Sequence, residues 1–155
     1  MIRLLALLSL VLWASAGSAQ DDVEPTVVDQ WETDKTVAFD ATSLDIDSFI
    51  WVARPVVVFA DSPNDPRFIQ QMDLLRDRAD DLAERDVVIL TDTDPDAESA
   101  LRTRLRPRGF MLVIIGKDGE VELRKPSPWT VREITRSIDK MPLRQQEIVD
   151  RRAEP

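Results

Sequence analysis

The sequence predicts a three-layer α/β domain built on one mixed sheet, and three observations carry that reading. Continuous β-branched and aromatic runs at Pro55–Ala60, Asp86–Thr91 and Phe110–Ile115 read as strands buried on both faces. Between them lie segments with apolar residues three and four apart, opened by Asp65-Pro66 and Asp94-Pro95, pairs that suit a cap and the first helical position. The third run ends in Gly116-Lys117-Asp118-Gly119, whose Asp-Gly step supplies the positive dihedrals of a tight hairpin turn. A strand–helix–strand unit gives a parallel pair and a hairpin an antiparallel one, so the sheet is mixed.

Residues 1–19 place Arg3 before an apolar run from Leu4 to about Ala14, followed by small residues with a cut expected after Ala19. This is the pattern of a cleavable export signal. The apolar run is shorter than the roughly 20 residues of a comfortable membrane span. Residues 20–45 read as an acidic N-terminal extension with a short strand over Thr36–Phe39 that adds to the module. Residues 46–152 form the domain.

Within it, Phe68, Met72, Leu75, Ala79 and Leu82 form the apolar stripe of one helix ending near Glu84–Arg85. Ala97, Leu101 and Leu105 mark the buried side of a shorter second helix. Beyond the hairpin turn, Glu120–Lys125 returns antiparallel with Val121 and Leu123 inward and Glu122 and Arg124 outward. Thr130 and Glu133 make a capping box, with Trp129 and Ile134 as a hydrophobic staple. Val131, Ile134, Ile138 and Met141 line that helix, Pro142 breaks it, and Leu143–Arg152 forms a terminal helix. This element order is that of the thioredoxin fold.

The chemistry of that fold usually rests on cysteine, and this chain has neither cysteine nor histidine. Thiol exchange, disulfide formation and imidazole acid–base work are excluded outright. The loop that would hold the thiols reads Asp61-Ser62-Pro63-Asn64-Asp65. Ser62 has no histidine to take its proton, and the two aspartates repel anions from the following helix start, so a turn and helix cap is the better reading. The cis-proline that such folds place before the third strand is also missing, since Pro107 falls a few residues early.

The segments Trp51–Ala60, Glu84-Arg85-Asp86, Ile115–Gly119 and Ile138–Glu147 together resemble the family known as domain of unknown function 4174. The resemblance runs from about Phe49 to Glu147. It implies a thioredoxin-like or peroxiredoxin-like fold with no established biochemical role. Its signature positions here are Arg54, Arg85, Gly116, Lys117, Asp118, Gly119, Asp139, Met141, Pro142, Arg144 and Glu147, while Glu122 stands where the resemblance leads one to expect a basic residue. From the spacing around Met141-Pro142, Asp139 and Arg144 are expected to pair and tie the terminal helix down.

Other clusters have plainer explanations. Asp92-Thr93-Asp94-Pro95-Asp96 suggests calcium, but an EF-hand loop wants Gly and Glu where Ala97 and Thr103 stand, so capping explains it better. Arg102, Arg104, Arg106 and Arg108 suit the C-terminal end of a helix and pairing with neighbouring aspartates. A formal net charge of −9 argues against nucleic acid and anionic membranes as partners. No catalytic group, cofactor or metal is expected. The leading expectation is an exported binding module, periplasmic or secreted, using an aromatic patch from Trp31, Trp51 or Trp129 on a protein partner. An enzyme with a cysteine-free site at the C-terminal strand edge, an oxidative-stress-related peroxiredoxin-like protein and a structural or adhesive module are the alternatives. N-terminal sequencing of the protein recovered from its native envelope is expected to begin at Gln20, and a chain still starting at Met1 contradicts the export reading.

Overall fold

A computed structural model describes residues 24–153, and the expected export signal at residues 1–19 lies outside the described residues. The helices are α1 (Val27–Thr33), α2 (Pro66–Asp77), α3 (Ala79–Ala83), α4 (Ala100–Leu105), α5 (Val131–Ile138) and α6 (Pro142–Ala153). The strands are β1 (Ala38–Asp40), β2 (Arg54–Phe59), β3 (Val87–Asp92), β4 (Met111–Ile115) and β5 (Val121–Lys125). They form one sheet in the order β1-β3-β2-β4-β5. β1 and β2 both run parallel to β3, β4 runs antiparallel to β2, and β5 antiparallel to β4.

Strand periodicity splits the core into two halves. Val56, Val58, Val87, Ile89, Leu112 and Ile114 face a cluster with Met72, Leu75 and Leu82 of α2–α3 and Ile134 and Ile138 of α5. Val57, Phe59, Val88, Leu90, Val113 and Ile115 face the other way, onto Trp31, Phe49, Leu101 and Leu105. Helices therefore cover both faces, and the central strands carry apolar residues at nearly every position because neither face meets water.

Several elements differ from expectation. The single long helix is two: the chain leaves helical geometry at Arg78 (φ −138°) and resumes as α3. The strand expected over Thr36–Phe39 forms at Ala38–Asp40, on the sheet edge beside β3. Trp31 is buried, and its indole N–H donates to the Val87 carbonyl at 3.1 Å, so residues 27–40 pack onto the domain. Ala97 is exposed in a 3₁₀ turn, and Ser99 caps α4. Val121 is 39% exposed rather than inward, because the register shifts between Ile114 and Ile115 where β5 joins. Pro142 opens α6 rather than interrupting a longer helix.

The capping box at Thr130 and Glu133 forms as expected, and Gln71 binds the Trp129 backbone from α2, its side chain donating to the carbonyl at 2.9 Å and accepting from the N–H at 2.8 Å. Leu75→Ala is expected to cost about 2–5 kcal/mol through loss of buried contact and a residual cavity. Exposed Ile69→Ala on the same helix should stay within about 0.5 kcal/mol, both read from urea unfolding midpoints.

Candidate functional site

The two ends of the sheet have opposite characters. At the C-terminal ends of β2 and β3, where ligands of open α/β sheets usually bind, the polar groups are spent on one another. Arg102 donates from Nε to Asp92 Oδ1 at 2.7 Å and from Nη2 to the carbonyls of Ala60 and Asp92. Its guanidinium also lies over the Phe59 ring. Asp92, fully buried, takes the Ser99 hydroxyl on its other oxygen at 2.6 Å. Asp92 thus serves Arg102 and Ser99, and Asp94 caps a 3₁₀ turn.

The loop beside this end behaves as a turn. Ser62 Oγ accepts the Asn64 N–H, Asp65 caps α2 through the Arg67 N–H, and its carboxylate also holds the Arg67 side chain at 3.0 Å. The hydrogen bonds from Arg67 hold the Asp65 carboxyl below the usual range. Asp61 is exposed, 3.8 Å from Arg102. Nothing in the loop adjoins a base that could activate Ser62.

The opposite end gathers most of the signature residues. Arg54 opens β2 beside Val87, the first residue of β3, while Lys117 follows the last strand residues of β4. The Arg54 side chain is wholly buried; it donates from Nη1 to the Arg85 carbonyl at 2.8 Å and from Nη2 to Glu147 Oε1 at 2.7 Å. Glu147, on the second turn of α6, also receives Lys117 at 3.1 Å and Arg144 at 3.1 Å. Lys117 and Lys35 grip the two oxygens of Asp86 at 2.9 and 2.8 Å. One charged network therefore links residue 35 to residue 147 across the N-terminal ends of two parallel strands.

The expected Asp139–Arg144 tie exists, but weakly. Asp139 accepts a bidentate pair from Arg85, both contacts at 2.9 Å, whereas Arg144 Nε stands 3.5 Å from Asp139 without hydrogen-bond alignment. Arg144 turns to Glu147 instead. The terminal helix is thus fastened mainly through Glu147 to Arg54 and Lys117. Sequence reasoning placed Asp139 and Arg144 correctly near one another and missed Asp86 and Lys35, which no local spacing connects to this end.

Charge balance sets the titration of the carboxylates. Burial would raise the Glu147 carboxyl, but hydrogen bonds from Arg54, Lys117 and Arg144 outweigh it and bring the group down to about 2. Burial likewise opposes Asp86, and Lys35 and Lys117 overcome it to hold that carboxyl low. Asp139 is held low first by its hydrogen bonds from Arg85, against a smaller opposing effect of burial.

Two residues at this end have left-handed backbones without being glycine: Asp86 (φ +51°) and Trp51 (φ +64°). Asp tolerates that region, but a bulky side chain there is strained. Trp51 is held by its N–H, which donates to the Lys117 carbonyl at 2.7 Å, and its side chain is 67% exposed. Of the three tryptophans considered for an exposed patch, Trp31 is core and Trp129 is half-buried under Lys125, leaving Trp51.

Among the described residues no helix is long and apolar enough to cross a membrane. Fold and chain together define a thioredoxin-like α/β module without cysteine. The reduced 2-Cys peroxiredoxin of Plasmodium vivax superposes with a TM-score of 0.52 at 15% identity, covering 62% of this chain and 81% of that one, a likeness of fold alone. Chloroplastic thioredoxin z (24% identity, 57% and 80% covered, TM-score 0.44) and the mitochondrial 2-Cys peroxiredoxin of Plasmodium falciparum (18%, 62% and 79%, 0.45) are looser matches. No curated protein matches the chain. The chain belongs to the family described as Domain of unknown function (DUF4174), whose model matches residues 45–147.

The depressed Glu147 carboxyl binds its proton more readily in the unfolded chain than in the folded one. Its stabilisation is present above about pH 4.5 and lost as pH falls toward about 2. Glu147→Gln is expected to flatten unfolding free energy across that window and to lower stability near pH 7 by about 2 kcal/mol, since buried Arg54 loses its counter-charge. Denaturant titrations at stepped pH check both.

Proposed function

We propose that this chain is an exported binding module that carries out no catalysis and engages a protein partner at the N-terminal end of its parallel strands. Trp51 carries the reading. The Trp51 side chain stays mostly in water and so adds little to the core, while its backbone occupies a strained region, and strained outliers concentrate at functional sites. Tryptophan is also enriched among the residues that dominate binding energy at protein interfaces.

The charge pattern agrees. An acidic chain with pI near 4.5 is repelled by nucleic acid, which favours a polypeptide over a nucleic-acid partner. The enzyme alternative loses support from the opposite end, where Arg102, Asp92 and Ser99 saturate one another and leave no group poised to react.

The test is affinity capture from the native envelope with the mature wild-type chain and with Trp51→Ala. The exposed substitution is expected to leave the melting temperature within about 2 °C and to reduce the captured partner about tenfold or more. Equal capture by the two proteins removes Trp51 from the interface.

A further inference from the structure

Beside the ionic network, a cleft of about 110 Å³ opens between the β4–β5 hairpin and the α5–α6 corner. Its walls differ in chemistry. Arg54, wholly buried, lines it with Lys117, and the Arg54 Nε is a buried donor without a hydrogen-bond partner among the described residues. An unpaired buried donor is costly unless something else accepts its hydrogen bond.

Two carboxylates line the same cleft. The Asp118 and Glu122 side chains converge over Gly116: a Cβ placed there would stand 2.5 Å from Asp118 Oδ1 and 3.3 Å from Glu122 Oε1. Among the described residues neither carboxylate has a salt-bridge partner; Asp118 only accepts the Glu120 N–H at 3.1 Å. Gly116 thus leaves room for two acidic oxygens to face one space, an arrangement that favours a cation between them. Met141, Pro142 and Leu143 supply the third, apolar wall.

We infer that this cleft binds a small zwitterion, a free α-amino acid with an apolar side chain. Its carboxylate accepts from Arg54 Nε and Lys117, its ammonium donates to Asp118 and Glu122, and its side chain lies on Met141, Pro142 and Leu143. A simple anion would meet the two carboxylates uncompensated, and a simple amine would leave Arg54 Nε unsatisfied. Only a ligand carrying both charges answers both walls. The inference rests on reading this end of the sheet as a binding surface, and gives it a small ligand in addition to a protein.

The experiment is titration calorimetry on the mature chain with L-valine, L-valinamide (no carboxylate) and N-acetyl-L-valine (no ammonium). Valine is expected to bind, and each derivative about tenfold or more weakly. Gly116→Ala, whose methyl would stand 2.5 Å from Asp118 Oδ1 and push that side chain aside, is expected to weaken valine binding about tenfold or more. Glu122→Gln, an exposed change that spares the fold, should bring valine and N-acetylvaline within about threefold of each other. No heat with valine at millimolar concentration, or equal binding of all three compounds, overturns the inference. Circular dichroism of both variants separates lost binding from lost folding. Trp51-dependent capture that persists without valine binding leaves the protein-binding reading standing while the ligand falls. Valine binding without such capture does the reverse.

Discussion

The buried guanidinium of Arg54 is the constraint around which one end of this molecule is arranged. A permanently charged group cannot be stripped of water without compensation, and Arg54 sits in the first residue of a central strand with no exposed surface. Compensation comes from two places far apart in sequence, the Arg85 carbonyl before β3 and Glu147 on α6, whose carboxylate also holds Lys117 after β4. Satisfying one side chain therefore fixes where the terminal helix docks and how the two strand starts align. Without a cysteine the chain has no covalent alternative for holding its C-terminal segment in place.

The same demand explains the backbone around it. Asp86 adopts a left-handed conformation just before β3, its carbonyl accepting the Arg54 N–H at 2.7 Å while its carboxylate receives two lysines. Trp51 takes a similar conformation just before β2. Both residues sit within three positions of a strand start at the charged end, and the opposite end has its own left-handed residue, Glu98 (φ +46°), just before Ser99.

How legible this was from sequence depends on the range of the interaction. Strands β2, β3 and β4, the capping box of α5 and the hairpin turn were readable because each is a local pattern of side-chain period, cap or turn residue. The break at Arg78 was not, since Ala79 and Leu82 keep the helical spacing of Phe68, Met72 and Leu75 across it and only the backbone changes. Trp31 was misjudged for a tertiary reason: its burial depends on Val87 and Phe49 closing over it. The ionic end was half visible. Family resemblance supplied Arg54, Arg85, Lys117, Asp139, Arg144 and Glu147 without their pairing, and Asp86 and Lys35 joined only when topology set the β3 start beside the β4 end.

The outermost strands bear on how the molecule behaves among its neighbours. β1 is only three residues long, too short to template a further strand for any distance. At the other margin, β5 carries Glu122, Arg124 and Lys125 and is followed by Pro126-Ser127-Pro128, where two residues lack an N–H to offer. A polypeptide that must fold unaided by crosslinks is at risk of sticking to copies of itself. Both borders of this sheet are blunted against that fate, so crowding should leave it dispersed rather than stacked.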